Sequence, residues 1–246
     1  MSSNSPLQLS RSLLAAMGTQ MFVYHEDRIP EDSAVVVVSN HRGFMDALLL
    51  MAALGHPLRI ACHHYMGQVP MLRELITQMG CFPLQEPEYR QQAFFEQATE
   101  LLQQHQWVGV FPEGAQPMVR LTQPDTLGKF HRGFAHLALR TPVRNLAVLP
   151  VAIASLEETT TYALPLRWLR LFDPSEPLFA QPGWHPMVIH RRVAVLVGHP
   201  YWITAKHREQ YQGKQAKTTV NELVATCHDE ISKLLYQTFQ RERMLS

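Results

Sequence analysis

The spacing of apolar residues changes period repeatedly along this chain, and each change marks an element. Val35–Val38 is an unbroken β-branched run of the kind that makes a buried strand. Ser39 and Asn40 break it, Gly43 follows, and an apolar helical pattern then runs from Phe44 to Leu54. Upstream, Leu13, Leu14, Met17 and Met21 recur at helical spacing and predict an amphipathic helix within Ser10–Tyr24, preceded by a frayed Met1–Leu9. Downstream, Leu58–Cys62 reads as a strand. Pro70 opens a helix over Met71–Met79, which Gly80 closes, and Cys81–Leu84 is a short strand. Glu88–His105 is an amphipathic helix and Trp107–Phe111 a strand; a loop over Gln116–Lys129 leads to a helix at Phe130–Arg140. Leu146–Ile153 is a strong strand in which Pro150 predicts a bulge or a sheet edge. Glu157–Pro186 holds five prolines and reads mostly as loop. Val188–Val197 is the last strand and Thr218–Phe239 a long amphipathic helix. Strands alternating with helices predict an α/β sandwich.

Composition narrows this only a little. With 246 residues, 46% of them hydrophobic and 17% charged, the chain can bury a substantial core. A formal net charge of +1 argues against a polyanion-binding tail, so nucleic acid is not an expected partner. Cys62, Cys81 and Cys227 are odd in number, widely spaced and match no zinc pattern, which suggests a reduced, intracellular setting. No signal peptide is visible, and no run of 18 apolar residues predicts a membrane span.

The chemistry gathers at two strand ends. His41 falls on the turn between the Val35 strand and the next helix, where open α/β sheets bind ligands. On one continuous helix His41 and Asp46 would diverge by about 140°. With His41 on the turn and Asp46 in the first helical turns, the two can meet. A carboxylate beside an imidazole fixes its tautomer and stabilises the imidazolium, so the pair can act as a general base; equally, Asp46 can simply favour the helix N-terminus. Phe111-Pro112-Glu113-Gly114 is the second strand end, where a carboxylate followed by glycine can face a substrate or simply make a turn. Between Pro117 and Arg144, five cations (Arg120, Lys129, Arg132, Arg140 and Arg144) face one acid, Asp125. Such a basic face suits a phosphate, the pantetheine phosphate of an acyl carrier, or an anionic membrane; each single cation could equally lie on a solvated helix face.

Taken in order, Asn40-His41-Arg42-Gly43-Phe44-Met45-Asp46, Gly80-Cys81-Phe82-Pro83-Leu84-Gln85, Phe111-Pro112-Glu113-Gly114 with Phe130-His131-Arg132-Gly133, and Val148-Leu149-Pro150-Val151 resemble the blocks of the PlsC-like glycerolipid acyltransferases. The resemblance covers residues 34–155. It implies one α/β domain with a mixed central sheet flanked by helices. Residues 1–33 form an N-terminal amphipathic helical segment, 34–205 the α/β core, and 206–246 a C-terminal amphipathic helix on the same domain. It further implies acyl transfer from acyl-CoA or acyl carrier protein to the hydroxyl of a lysolipid, 1-acylglycerol 3-phosphate first, with no metal or redox cofactor. His41 is then the base and Asp46 its orienting acid. Glu113, Gly114, Arg120, Lys129 and Arg132 are the expected substrate contacts. A backbone N–H near the His41 turn would support the oxyanion, and an apolar groove from the Phe44–Leu54 helix and its neighbours would hold the acyl chain.

Two positions depart from the family pattern. Gln85 and Gln116 stand where arginines commonly hold the acceptor phosphate, so a non-phosphate alcohol or glycolipid is an alternative acceptor. Arg90, Arg120, Lys129 or Arg132 are the available substitutes. Other readings are a non-catalytic lipid- or carrier-binding module, and a metal-dependent hydrolase built on His41, Asp46, His63, His64 and Glu113, for which no H-x-H or H-E-x-x-H spacing exists. Peripheral membrane contact on the cytoplasmic face is expected through Ser10–Tyr24, Trp168–Phe172 and the basic face.

Overall fold

Every residue of Ala34–Ser39 is buried, because this strand is covered on both faces. Val36 and Val38 point into one core and Val35 and Val37 into the other, as the two-residue period of a strand requires. The computed structural model describes residues 6–62, 64–68, 70–83, 89–114, 122–171, 180 and 182–245. Its strands in chain order are β1 (Gln20–Tyr24), β2 (Ala34–Ser39), β3 (Leu58–Cys62), β4 (Phe82–Pro83), β5 (Trp107–Val110), β6 (Leu146–Pro165), β7 (Trp184–Val197) and β8 (Tyr201–Trp202). They form one sheet in the order β1-β7-β6-β2-β5-β3-β4, with β8 beside β6. Neighbours are parallel except β6 with β7 and β6 with β8. The mixed sheet expected from sequence is therefore mostly parallel.

The helices are α1 (Pro6–Ala16), α2 (Met45–Leu54), α3 (His64–Gln68), α4 (Pro70–Gln78), α5 (Arg90–Gln103), α6 (Gly133–Arg140), α7 (Leu166–Leu169), α8 (Ala205–Gln212) and α9 (Ala216–Leu245). On one face of the sheet, α5, α6 and α9 pack Leu102, Phe134, Leu137, Ile231 and Leu235 against Val36, Val108 and Val148. On the other, α2 lies against Val37, Leu149, Ile153 and Val195, and α1 covers α2 through Leu9, Leu13 and Leu14.

Four expectations need correction. The N-terminal helix begins at Pro6 and ends by Gly18, whose φ of +69° closes it; Gln20–Tyr24, expected to be helical, is strand β1 paired with β7. Pro150 sits on a central strand with no bulge beside it in the pairing with β2. Its carbonyl accepts from the Gly198 amide, so the donor it lacks faces the same side, the gap where β6 passes from β8 to β7. Glu157–Pro186 is not mostly loop: β6 continues to Pro165 and pairs with β7 as a two-stranded arm. The β-branched Thr159–Thr161 run supplies that arm, and Pro186 is tolerated because a ribbon strand has one unpaired side. Lastly, all ten residues of α2 are buried, so the helix itself presents no open face to an acyl chain, and the described part of a groove there is left to Phe44 and the helix's neighbours.

Candidate active site

The turn after β2 is held from three directions. Asn40 extends the strand with its side chain: its amide nitrogen donates to the Ile153 carbonyl (2.9 Å), and its oxygen accepts from the Ile153 amide (2.8 Å). This continues the β2–β6 ladder past its last backbone pair, Ser39 with Val151. Next, the His41 amide donates to Glu113 Oε1 (2.9 Å), tying the turn to the end of β5. Arg42 then reaches β6, where its Nε and Nη2 donate to the two oxygens of Glu158 (2.9 and 2.5 Å), and its Nη1 donates to the Thr122 carbonyl (3.1 Å).

Inside this frame His41 Nδ1 lies 2.8 Å from Asp46 Oδ2, so the ring donates Nδ1–H to the carboxylate. The same oxygen accepts the amides of Arg42 (2.6 Å) and Gly43 (2.9 Å). Asp46 Oδ1 faces a second imidazole, His190 Nε2, at 3.2 Å, and His190 Nδ1 lies 2.8 Å from Ser155 Oγ. Asp46, His190 and Ser155 are buried, while 12% of the His41 side chain remains exposed. The His41 ring stacks on Phe111, centroids 4.2 Å apart and 16° from parallel. No partner among the described residues engages His41 Nε2, the nitrogen left to handle a proton. Burial by itself would raise the Asp46 pKa; the hydrogen bonds from His190 and His41, with the charges of both rings, outweigh it and hold the carboxyl well below the usual range.

Of the other expected contacts, Glu113 joins this centre directly. Both Glu113 oxygens are engaged by amides, Oε1 by His41 and Oε2 by Gly128 (2.7 Å), so its direct effect is to brace two loops. Gly114 has φ +73° and lies against the His131 ring; the His131 amide donates to the Pro112 carbonyl (2.8 Å). Lys129 and Arg132 are exposed, and Arg132 opens onto a groove with His136, Arg140, Tyr211 and Lys217. Arg90 begins α5. Arg120, Gln85, Gln116 and His63 lie outside the described residues. The amides of His41, Arg42 and Gly43 all donate to carboxylates, so the oxyanion support expected from this turn does not come from those three. Among the described residues no group of three or more His, Cys, Asp or Glu side chains is placed to hold a metal ion.

Sequence reasoning did not find His190, Ser155 or Glu158. The available signal was a polar residue at an inward register: His190 shares the buried face of Val188, and Ser155 that of Ile153.

A family model described as Acyltransferase matches residues 20–154, more than half of the chain. The chain belongs to this acyltransferase family. The His41–Asp46 pair takes the H-x4-D positions of the family, now seen in hydrogen-bonded contact. Among curated proteins, this acyltransferase is 27% identical over 137 residues to the 1-acyl-sn-glycerol-3-phosphate acyltransferase of Borreliella burgdorferi (strain ATCC 35210 / DSM 4680 / CIP 102532 / B31), covering 55% of this chain and 52% of that one. It is 29% identical over 123 residues to the chloroplastic 1-acyl-sn-glycerol-3-phosphate acyltransferase LPAT1 of Arabidopsis thaliana, covering 50% of this chain and 32% of the relative. The matches thus span about half or less of the curated relatives' length. Among solved structures, the crystal structure of the 1-acyl-sn-glycerophosphate acyltransferase PlsC from Thermotoga maritima superposes with a TM-score of 0.55 at 17% identity. The match covers 92% of this chain and 78% of that one, a likeness of fold.

Proposed function

We propose that this acyltransferase moves a fatty acyl group from an acyl thioester, acyl carrier protein or acyl-CoA, to the hydroxyl of a lysolipid, with 1-acylglycerol 3-phosphate as the first acceptor to test. One observation carries the reading: the 2.8 Å contact between His41 Nδ1 and a buried, ionised Asp46, on a His41 side chain that keeps 12% of its surface exposed. His41 Nε2 takes the proton of the acceptor hydroxyl as its oxygen bonds to the thioester carbonyl carbon. Asp46 keeps the Nδ1 tautomer and stabilises the imidazolium. When the tetrahedral intermediate collapses, the carbon–sulfur bond breaks and the thiolate takes the proton back from His41, giving an ester and a free thiol. No protein nucleophile is needed. Gly114, Arg120, Lys129 and Arg132 are the proposed contacts to the polar part of the substrates, with Glu113 setting the loops that carry them.

The names of the curated relatives support a phosphate-bearing acceptor, and Gln85 and Gln116 support an alcohol or glycolipid without phosphate. Peripheral membrane contact is part of the proposal. No helix among the described residues is long and apolar enough to cross a membrane. The apolar side of α1 packs on α2, which leaves the far end of the β6–β7 arm as the stronger contact: Tyr162, Trp168, Leu171 and Trp184 are exposed there beside Arg167 and Arg170.

The decisive experiment offers a labelled acyl thioester with 1-acylglycerol 3-phosphate, glycerol 3-phosphate, a lysoglycolipid and a neutral long-chain alcohol. Labelled ester is expected with one acceptor class and lost in a folded His41→Ala variant. Absence of ester with every acceptor and both carriers overturns the reading, as does wild-type activity in His41→Ala. Flotation with anionic vesicles, weakened by Trp168→Ala/Trp184→Ala, tests the membrane part.

A further inference from the structure

We infer that His190, backed by Ser155, is a positioning residue for the His41–Asp46 pair: a second imidazole that holds the carboxylate from behind and tempers the charge it presents to His41. The inference rests on the acyl-transfer reading above for its catalytic consequence, though not for its electrostatic one.

The geometry assigns the protons. Ionised Asp46 only accepts, so both facing ring nitrogens carry hydrogen: Nδ1 of His41 and Nε2 of His190. Ser155 Oγ, 2.8 Å from His190 Nδ1, completes the ring's hydrogen bonding and fixes its plane. The carboxylate therefore sits between two imidazoles, one open to the reaction and one sealed in the core with no exposed surface. A buried ring of this polarity is costly unless it is bonded at both nitrogens, as His190 is. Nothing in the packing of β6 and β7 alone calls for it, since its neighbours at the same inward register are Val188 and Ile153.

The contact has two consequences. Among the described residues Asp46 receives three donors on Oδ2 and only His190 on Oδ1, so His190 sets the rotation of the carboxylate and the direction of the His41 ring. It also withdraws charge from the carboxylate. Without that donor Asp46 would act on His41 with more of its negative charge and favour the imidazolium, which cannot accept a proton. Among the described residues the charged and titratable groups bonded around the pair are Arg42 from the turn, His190 from β7, Glu158 from β6 and Glu113 from the turn after β5. Arg42 and Glu158 pair with each other, and both Glu113 oxygens face amides.

Three variants test this: His190→Leu, His190→Gln, whose amide nitrogen can reach the place of Nε2, and Ser155→Ala. In His190→Leu, kcat is expected to fall by about 10- to 100-fold, the scale for losing a hydrogen-bond partner behind an active-site ligand, with KM little changed. The acid limb of the pH–rate profile and the NMR titration of the His41 ring both move to higher pH. His190→Gln restores rate and titration together, and Ser155→Ala shifts the titration the same way by less. A wild-type rate and titration in folded His190→Leu overturns the inference. So does a lost rate with an unmoved titration that His190→Gln fails to recover, which is what a packing role gives. If His190→Leu does not fold, an unmoved titration in Ser155→Ala overturns it. The ring titration needs no turnover. An inactive wild type would therefore count against the acyl-transfer reading and leave the His190 coupling to be judged by NMR.

Discussion

Arg42 and Glu158, 116 residues apart, form a two-pronged ion pair at 2.9 and 2.5 Å beneath the surface. The Arg42 side chain is 3% exposed and the Glu158 side chain 15%. Removing Glu158 leaves a guanidinium buried with, among the described residues, only the Thr122 carbonyl. Glu158→Ala is expected to lose about 3–5 kcal/mol of stability, the usual result of breaking a buried pair from one side. Urea unfolding measures this. Because Arg42 lies inside the His41–Asp46 turn, activity should fall at temperatures where the variant remains folded.

Asp46 links stability to pH in one direction. Its pKa is depressed below the ordinary 3.8, so the unfolded chain takes up the proton more readily. The contribution is complete above the unfolded value, and it drains away as pH falls below about 4. Urea unfolding of the wild type between pH 7 and pH 3 should show this loss at the acid end. Asp46→Asn should be less stable at pH 7, show a flatter acid limb, and transfer no acyl group.

Glu113 and Gly128 fit one another closely. A Cβ placed on Gly128 would lie 2.6 Å from Glu113 Oε2. Gly128→Ala should push the carboxylate off the His41 amide, with crystallography or the His41 amide resonance reporting the displacement. Glu113→Gln keeps the shape but presents an NH2 to one of the two amide donors, and should cost about 1–3 kcal/mol for the donor left unsatisfied.

The thiols are set against reactivity. Burial, and then the neighbouring Cys81, pushes Cys62 up to about 12; burial raises Cys81 to about 11 and, followed by Glu230, Cys227 to about 12. Alkylation by iodoacetamide at pH 8 should be slow in the folded protein, followed by mass spectrometry. Acyl transfer should survive Cys62→Ser, since the proposed route uses no thiol.

What could be read from the sequence was local. His41 and Asp46 lie five residues apart across a strand-to-helix turn, so the run Val35–Asp46 held both the strand that places them and the cap that turns them inward. The layered fold was legible for the same reason, because β2 announces itself by an unbroken β-branched run and the helices by their apolar period. His190, Ser155 and Glu158 come from more than 100 residues away, and their meeting with the turn depends on β6 leaving the sheet as an arm with β7. Proline masked that arm as loop, although Thr159–Thr161 carried the strand signal. Gln20–Tyr24 was misread because Met21 extends the helical spacing of Leu13, Leu14 and Met17; Gly18 was the residue that should have ended it.

The complete burial of α2 bears on how the proposed reaction could be re-engineered. With α1 on one side and the sheet on the other, substitutions along Met45–Leu54 would loosen the core before they could lengthen or shorten any slot for a fatty tail. A designer seeking a ruler for chain length would begin instead at the start of that helix, where Phe44 is exposed.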